Sequence, residues 1–453
     1  MRSPDSPITD KPTGSRPRRA AILDLLVIAV VAGVVLASAL VGRALKRDGT
    51  DIFLPFPPLL AEWLPHVGPG TAFAVMVAVG VVAWGPALAG RMRWRNLLVV
   101  GWATSLAWTF ALALSDGYAK GFATRLTSRD EYLHDVPRVT DIPAMLRDFT
   151  SHILTDQPGA WTTHVGAHPP GVFLLFVWLD RIGLGGGPAA SALCVLVGSS
   201  ACVAVAVAVR ALADEDLARV LLPFSVLFPG AVWVGVSADG LFAAVLAWGV
   251  AGVAWASARR GRVSALVATG SGVLLGYCLY LSYGLALGAA LVVAVIAMTK
   301  AWRTALFAAL GVAAVVAAFT VAGFWWITGY ELTKVLYAGS IAQSRPYSYF
   351  IWANLAALVF ALGPAVIAGL RHAVAAPRLV SSGVAVLAAA ALAVVLVADI
   401  SGLSKAEVER IWLPFGTWLV PACAWLPRTH HRWWLAGQAV LALLVNHLLL
   451  TVW

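Results

Sequence analysis

The chain has 453 residues, of which 60% are hydrophobic and only 12% charged, with a formal net charge of +10. Its mean hydropathy is +0.83, and its charged fraction is about half that of an ordinary soluble domain, ~25%. These values exclude a soluble enzyme, a disordered chain and a nucleic-acid binder. Apolar runs of about 20 residues, each able to cross ~30 Å of hydrocarbon as a helix, recur along the chain. The expected class is all-α and polytopic.

Residues 1–20 form a basic tail with Arg16, Arg18 and Arg19. The apolar stretch after it is too long for a signal-peptide core, so it is expected to stay as a first span. Spans are predicted over 21–42, 70–90, 97–115, 189–210, 220–236, 240–257, 263–282, 284–298, 304–327, 350–370, 380–399, 411–426 and 433–452. That is about thirteen, within one transmembrane domain over 21–453. A further apolar segment, 171–183, is too short to cross and is expected to be re-entrant or interfacial.

A cytoplasmic N-terminus makes every short inner loop basic, including Arg91/Arg93/Arg95, Arg259/Arg260/Arg262 and Arg371/Arg378, while the acids gather outside. This is the pattern that charge bias imposes on membrane chains. It also explains the basic total without an anionic partner. If 171–183 crossed, every later basic cluster would face outward. Cys194, Cys202, Cys278 and Cys423 all sit in apolar runs without ligand spacing and read as packing residues.

The outer loop 116–170 is the longest polar stretch, and loops of that length are usually functional or disordered. Within it, residues 141–154 read as a short juxtamembrane helix. Asp141 would be the N-cap, Pro143 would lie in the first turn, and Met145, Leu146, Phe149 and Ile153 would share one face. Four polar groupings collect on the outer side. They are Arg129-Asp130-Glu131-Tyr132; His164-Val-Gly-Ala-His168-Pro169-Pro170-Gly171; Ser237-Ala-Asp239-Gly240; and Arg345-Pro346-Tyr347 with Lys405-Ala-Glu407-Val-Glu409-Arg410. Ionisable residues at span edges are expensive, which makes function the default reading for them. Each has a plainer one: solvated loop charges for Asp130 and Glu131, a loop end for His168, a helix cap for Asp239, and an interfacial ion pair for Glu409 and Arg410.

The order of these groupings resembles the GT-C superfamily of membrane glycosyltransferases, nearest to the branch of protein O-mannosyltransferases and lipid A aminoarabinose transferases. Asp130-Glu131-Tyr132 corresponds to that branch's acidic motif, and His168-Pro169-Pro170-Gly171 to its Lys/His-Pro-Pro motif. Asp239 stands for a later Pro-Asp, Gly272-Val-Leu-Leu-Gly276 for a Gly-Leu-x-x-Gly helix, and Arg410-Ile-Trp-Leu-Pro414 for an Arg-Tyr-x-x-Pro helix. The likeness covers about 116–421. Trp412 replaces the usual Tyr, and a Lys common after the glycine helix is absent.

The resemblance implies transfer of a sugar, of mannose or arabinofuranose type, from a polyprenyl-phosphate donor to a cell-envelope acceptor outside the membrane. The composition is similar to that of actinobacterial membrane proteins. Asp130 is the expected general base, with Glu131 orienting it or the acceptor. Arg410, and secondarily Arg345 or Lys405, would hold the departing phosphate. His168, Asp239, Tyr347 and Glu409 are further expected substrate contacts. The residues themselves specify no cofactor; the resemblance allows a divalent cation near Asp130, Glu131 and His168. The competing expectation is a lipid-linked-sugar flippase or other transporter, which would favour charges at mid-membrane and broken helices there.

Overall fold

The computed structural model describes residues 15–375 and 382–451. Most of the expected basic tail, and Arg378, lie outside the described residues. The chain is a helical, polytopic membrane protein. Among the described residues, eight helices are long and apolar enough to cross a bilayer, or nine if the bent pair Tyr347–Leu362 and Pro364–Ala375 counts as one.

Several predicted spans are not continuous helices. The predicted 220–236 begins as helix Glu215–Val226, started by Asp214, whose Oδ1 accepts from Leu217 N at 2.7 Å. It then breaks at Pro229-Gly230 and resumes only as one turn, Ala231–Val234. The predicted 350–370 bends by 106° at Gly363. The predicted 411–426 is a succession of short α and 3-10 turns, with Pro414 and Pro421 preventing a regular ladder.

Helix α1 (Ser15–Arg47) lies at the periphery, with 11% of its apolar window buried, whereas helix Ala238–Ser257 is central, with 72% buried. Helices α2 (Thr71–Arg91) and α3 (Trp94–Ser115) form a hairpin. At its turn Arg219 donates to the carbonyls of Ala89 and Met92. Asp24, buried in α1, pairs with Arg371 and His372 where helix Pro364–Ala375 ends. The other end of the bundle carries strand β1 (Ala61–Trp63), antiparallel to β2 (Leu449–Thr451) with Ala61 opposite Thr451. Arg125 ties the same end together, donating to Asp116 Oδ2 at 2.6 Å and to the Thr451 carbonyl at 2.8 Å.

Helices Arg262–Leu281 and Trp302–Val321 pack with their backbones almost touching. A Cβ on Gly272 would meet the Ala308 carbonyl at 2.0 Å, and one on Gly311 the Thr269 carbonyl at 2.2 Å. Small residues at such a seam are a usual means of helix association in lipid. Gly272 and Gly276 are therefore packing residues of this pair.

Candidate functional site

The loop 116–170 is folded onto the bundle by its apolar residues. Helix α4 (Ile142–Asp148) starts where expected, with Asp141 Oδ1 accepting from Ala144 N at 2.9 Å. Met145, Leu146, Phe149 and Ile153 are buried. Phe149 stacks on Trp161 with ring centres 5.5 Å apart. Helix Pro170–Arg181 follows, and its last residue, Arg181, donates back to the Val139 and Thr140 carbonyls of the same loop. Its start is pinned by Tyr277, whose hydroxyl donates to the Gly171 carbonyl at 2.8 Å. Only glycine fits at 171, since a Cβ would meet the Tyr280 carbonyl at 2.4 Å.

This packing brings residues from distant segments to one point. Arg410, on the short helix Val408–Ile411, is buried. Its Nη1 donates to Asp239 Oδ2, and its Nη2 donates to Glu407 Oε2 at 2.8 Å and faces His164 Nε2 at 3.4 Å. Asp239 arrives in the first turn of the central helix, where a carboxylate also suits the helix dipole. It does not cap that helix; Ser237 occupies the N-cap position. His164 Nδ1 hydrogen-bonds the Asp130 carbonyl at 2.8 Å and lies 3.6 Å from Glu131 Oε1. With Nδ1 donating to that carbonyl, Nε2 presents its lone pair to Arg410.

Burial raises the Glu131 carboxyl above its ordinary value, opposed by the nearby His164 ring and the Arg410 charge. Burial also works against the Arg410 charge, but Asp239, Glu407 and Glu131 outweigh it, so the guanidinium is held strongly protonated. His168 Nδ1 donates to the His164 carbonyl, 2.9 Å away. Burial, then His164, push its imidazole down to about 4. It is neutral at pH 7 and supplies a hydrogen bond, not a positive charge. Tyr132 packs against both histidine rings, with centres 5.9 Å away in each case.

The other predicted residues sit around this cluster. Asp130 is exposed, and its Oδ1 accepts from the Thr163 hydroxyl at 2.9 Å. Arg345 is buried, bonded to the carbonyls of Ile52 (3.2 Å) and Lys405 (2.7 Å), and reaches the cluster only through Glu407 Oε1 at 3.9 Å. Lys405 Nζ turns away to the Ala342 carbonyl. Tyr347 donates to the Ile400 carbonyl. Glu409 is buried beside the Leu60 amide, and burial lifts its carboxyl to about 7. The cluster thus joins Asp239 and Arg410 directly, and Glu131 to them through His164. Tyr347, Lys405 and Glu409 lie outside it.

Two members, His164 and Glu407, belong to the polar groupings of the sequence without standing out there as expected site residues. His164 lies four residues before His168, and Glu407 three before Arg410, the spacings at which side chains of one turn face one another. Among the described residues, no three His, Cys, Asp or Glu side chains converge as a metal ion would require. Here the acids instead surround a guanidinium. No protein-family model matches the chain, and neither does any curated protein.

Proposed function

We propose that the chain is a GT-C-type membrane glycosyltransferase. It moves a sugar from a polyprenyl-phosphate donor to an envelope acceptor on the extracytoplasmic face; in this reading the chain crosses about thirteen times, and a cytoplasmic N-terminus followed by three crossings puts loop 116–170 outside. The observation that carries this reading is the meeting of the acidic pair, the His-Pro-Pro segment, Asp239 and Arg410 at one end of a membrane-embedded bundle. A lipid-linked donor keeps its tail in the bilayer, so the reacting sugar has to be met at such an edge.

In this reading Asp130, accessible to an incoming acceptor, takes the hydroxyl proton. The acceptor oxygen attacks the anomeric carbon, and the bond from that carbon to the phosphate oxygen breaks. The bonding pair leaves with the phosphate, whose charge Arg410 meets through its planar fork. Glu131 and His164 hold the loop and the guanidinium in register, Asp239 fixes Arg410, and neutral His168 offers a hydrogen bond to sugar or phosphate. Arg345, held by the Lys405 carbonyl, faces Arg410 across Glu407.

The test is to incubate membranes containing the protein with radiolabelled polyprenyl-phosphate sugars and follow the label. Label should move to an envelope acceptor, and Asp130→Asn should slow that transfer by ~10²–10⁴-fold, the usual worth of a general base. Label that crosses the membrane while still on its lipid would favour the flippase. Full transfer by Asp130→Asn and by Glu131→Gln, each well folded, would refute the acidic pair as machinery.

A further inference from the structure

The contact between Glu407 and Arg410 does something that none of the site's other ion pairs does. Of Arg410's three contacts described above, Glu407 is the most accessible, its side chain 18% exposed against 8% for Asp239 and 11% for His164. Its two carboxylate oxygens face two different arginines, Oε2 toward Arg410 at 2.8 Å and Oε1 toward Arg345 at 3.9 Å. A carboxylate between two guanidinium groups occupies the place that a phosphate's oxygens would take.

The backbone beneath it is strained. Ala406 and Glu407 both adopt left-handed conformations, with φ of 76° and 62°, which side chains other than glycine's disfavour. The strain is held from one side by Asn354. Its Oδ1 accepts from Ala406 N at 3.1 Å, while its Nδ2 donates to Asp399 Oδ1 and to the Ser404 carbonyl, both at 2.9 Å. Residues held in such conformations persist only where the surroundings over-determine them, and they gather at clamps and switches.

We propose that Glu407 is a built-in competitor of the ligand's phosphate group. It occupies the space between Arg410 and Arg345 in the resting protein and is exchanged for phosphate oxygens when ligand binds. This deepens the proposed function, on which the identity of the phosphate-bearing ligand rests. Arg345 stays fixed by the Ile52 and Lys405 carbonyls, and Arg410 by Asp239, so the exchange leaves two oriented guanidinium groups facing the incoming group. Glu407 is thus a specificity-determining residue: an uncharged ligand gains nothing by displacing it, whereas a phosphate recovers both contacts.

The experiment measures binding to the purified full chain in detergent, with inorganic phosphate in one arm and farnesyl phosphate in the other, for wild type and Glu407→Gln. Removing a charge-assisted competitor should tighten binding by about tenfold. A gain in both arms supports the proposal for the phosphate group itself. A gain with farnesyl phosphate alone supports it for a lipid-linked source. A purely structural ion pair predicts the opposite, a weaker or unchanged affinity, and that result in folded Glu407→Gln overturns the proposal. So does a gain that persists when Arg410→Gln is added. If Glu407→Gln does not fold, Glu407→Asp, one methylene shorter, should give a smaller gain in the same direction, and no gain there overturns the proposal equally. Tighter phosphate binding without sugar transfer from any donor would sink the glycosyltransferase reading and leave this one standing.

Discussion

Replacing Asp239 by Asn tests the buried cluster without assuming any chemistry. The substitution keeps the shape of the side chain but removes the carboxylate that accepts from Arg410 Nη1. Taking one partner from a buried pair costs about 3–5 kcal/mol, because the other charge is left without compensation. Glu407 still bonds Arg410 at 2.8 Å, so the loss belongs at the low end, ~3 kcal/mol, a change of about 150-fold in the unfolding constant. Arg410→Gln should cost more, ~5 kcal/mol, since Asp239, Glu407 and Glu131 would all lose the same cation. In the double variant Asp239 no longer has a charge to strand, so the two losses should fall short of additivity by about 2–3 kcal/mol. Equilibrium denaturant unfolding of the detergent-solubilised protein, followed by tryptophan fluorescence, reads all four proteins. A cost below ~1 kcal/mol for Asp239→Asn, the value of an exposed pair, would refute the buried arrangement. Additive losses would show that the two side chains do not touch.

Three further outcomes are expected. Glu409, whose folded carboxyl is raised to about 7 from the ordinary 4.5, contributes stability that is whole below pH ~4.5 and lost as pH rises through ~7. Glu409→Gln should therefore flatten the unfolding profile across that window and stabilise the protein at pH 8 by up to ~3 kcal/mol; a profile parallel to wild type would refute the burial. Asp141→Ala, which removes the cap on Ala144 N, should cost about 1 kcal/mol and raise hydrogen exchange in 142–148, with unchanged exchange as the contrary result. Cysteines placed at the exposed Ser128 and Thr155 should react with a membrane-impermeant thiol reagent in intact cells. Labelling only after permeabilisation would invert the topology.

The α4 cap and its buried face were legible in the sequence because both are local: a carboxylate followed three residues later by an open amide, and apolar residues at helical spacing. Much of the site's membership was legible too, since polar groups at span edges are costly enough to need a reason. The partners within it were less so. Glu131 and Asp130 are adjacent and chemically alike, yet one is buried beside His164 and the other exposed, and only the packing of loop 116–170 decides which. Glu407 outranks Glu409 as Arg410's partner because of left-handed backbone at 406–407, which has no signal in residues other than Gly and Asn. Hydropathy misplaced regularity for a related reason. Residues 228–237 and 411–426 are apolar because protein surrounds them, and burial in protein tolerates broken backbone that lipid would not.

The pairing of β1 with β2 constrains the order in which the molecule is made. Residues 61–63 meet their strand partner only when 449–451 emerge from the ribosome, close to four hundred codons later. Until then the backbone groups of 61–63 have only water to bond, and Arg125 lacks the Thr451 carbonyl. Contacts so far apart in sequence close late, because the entropy of the intervening loop has to be overcome first. The helix that carries Asp239 and those flanking the Glu131 loop can be inserted one after another, but this end of the bundle locks only once residues 449–451 have emerged. A polypeptide stalled before residue 449 would consequently be membrane-integrated yet open at the very face where the charged residues gather.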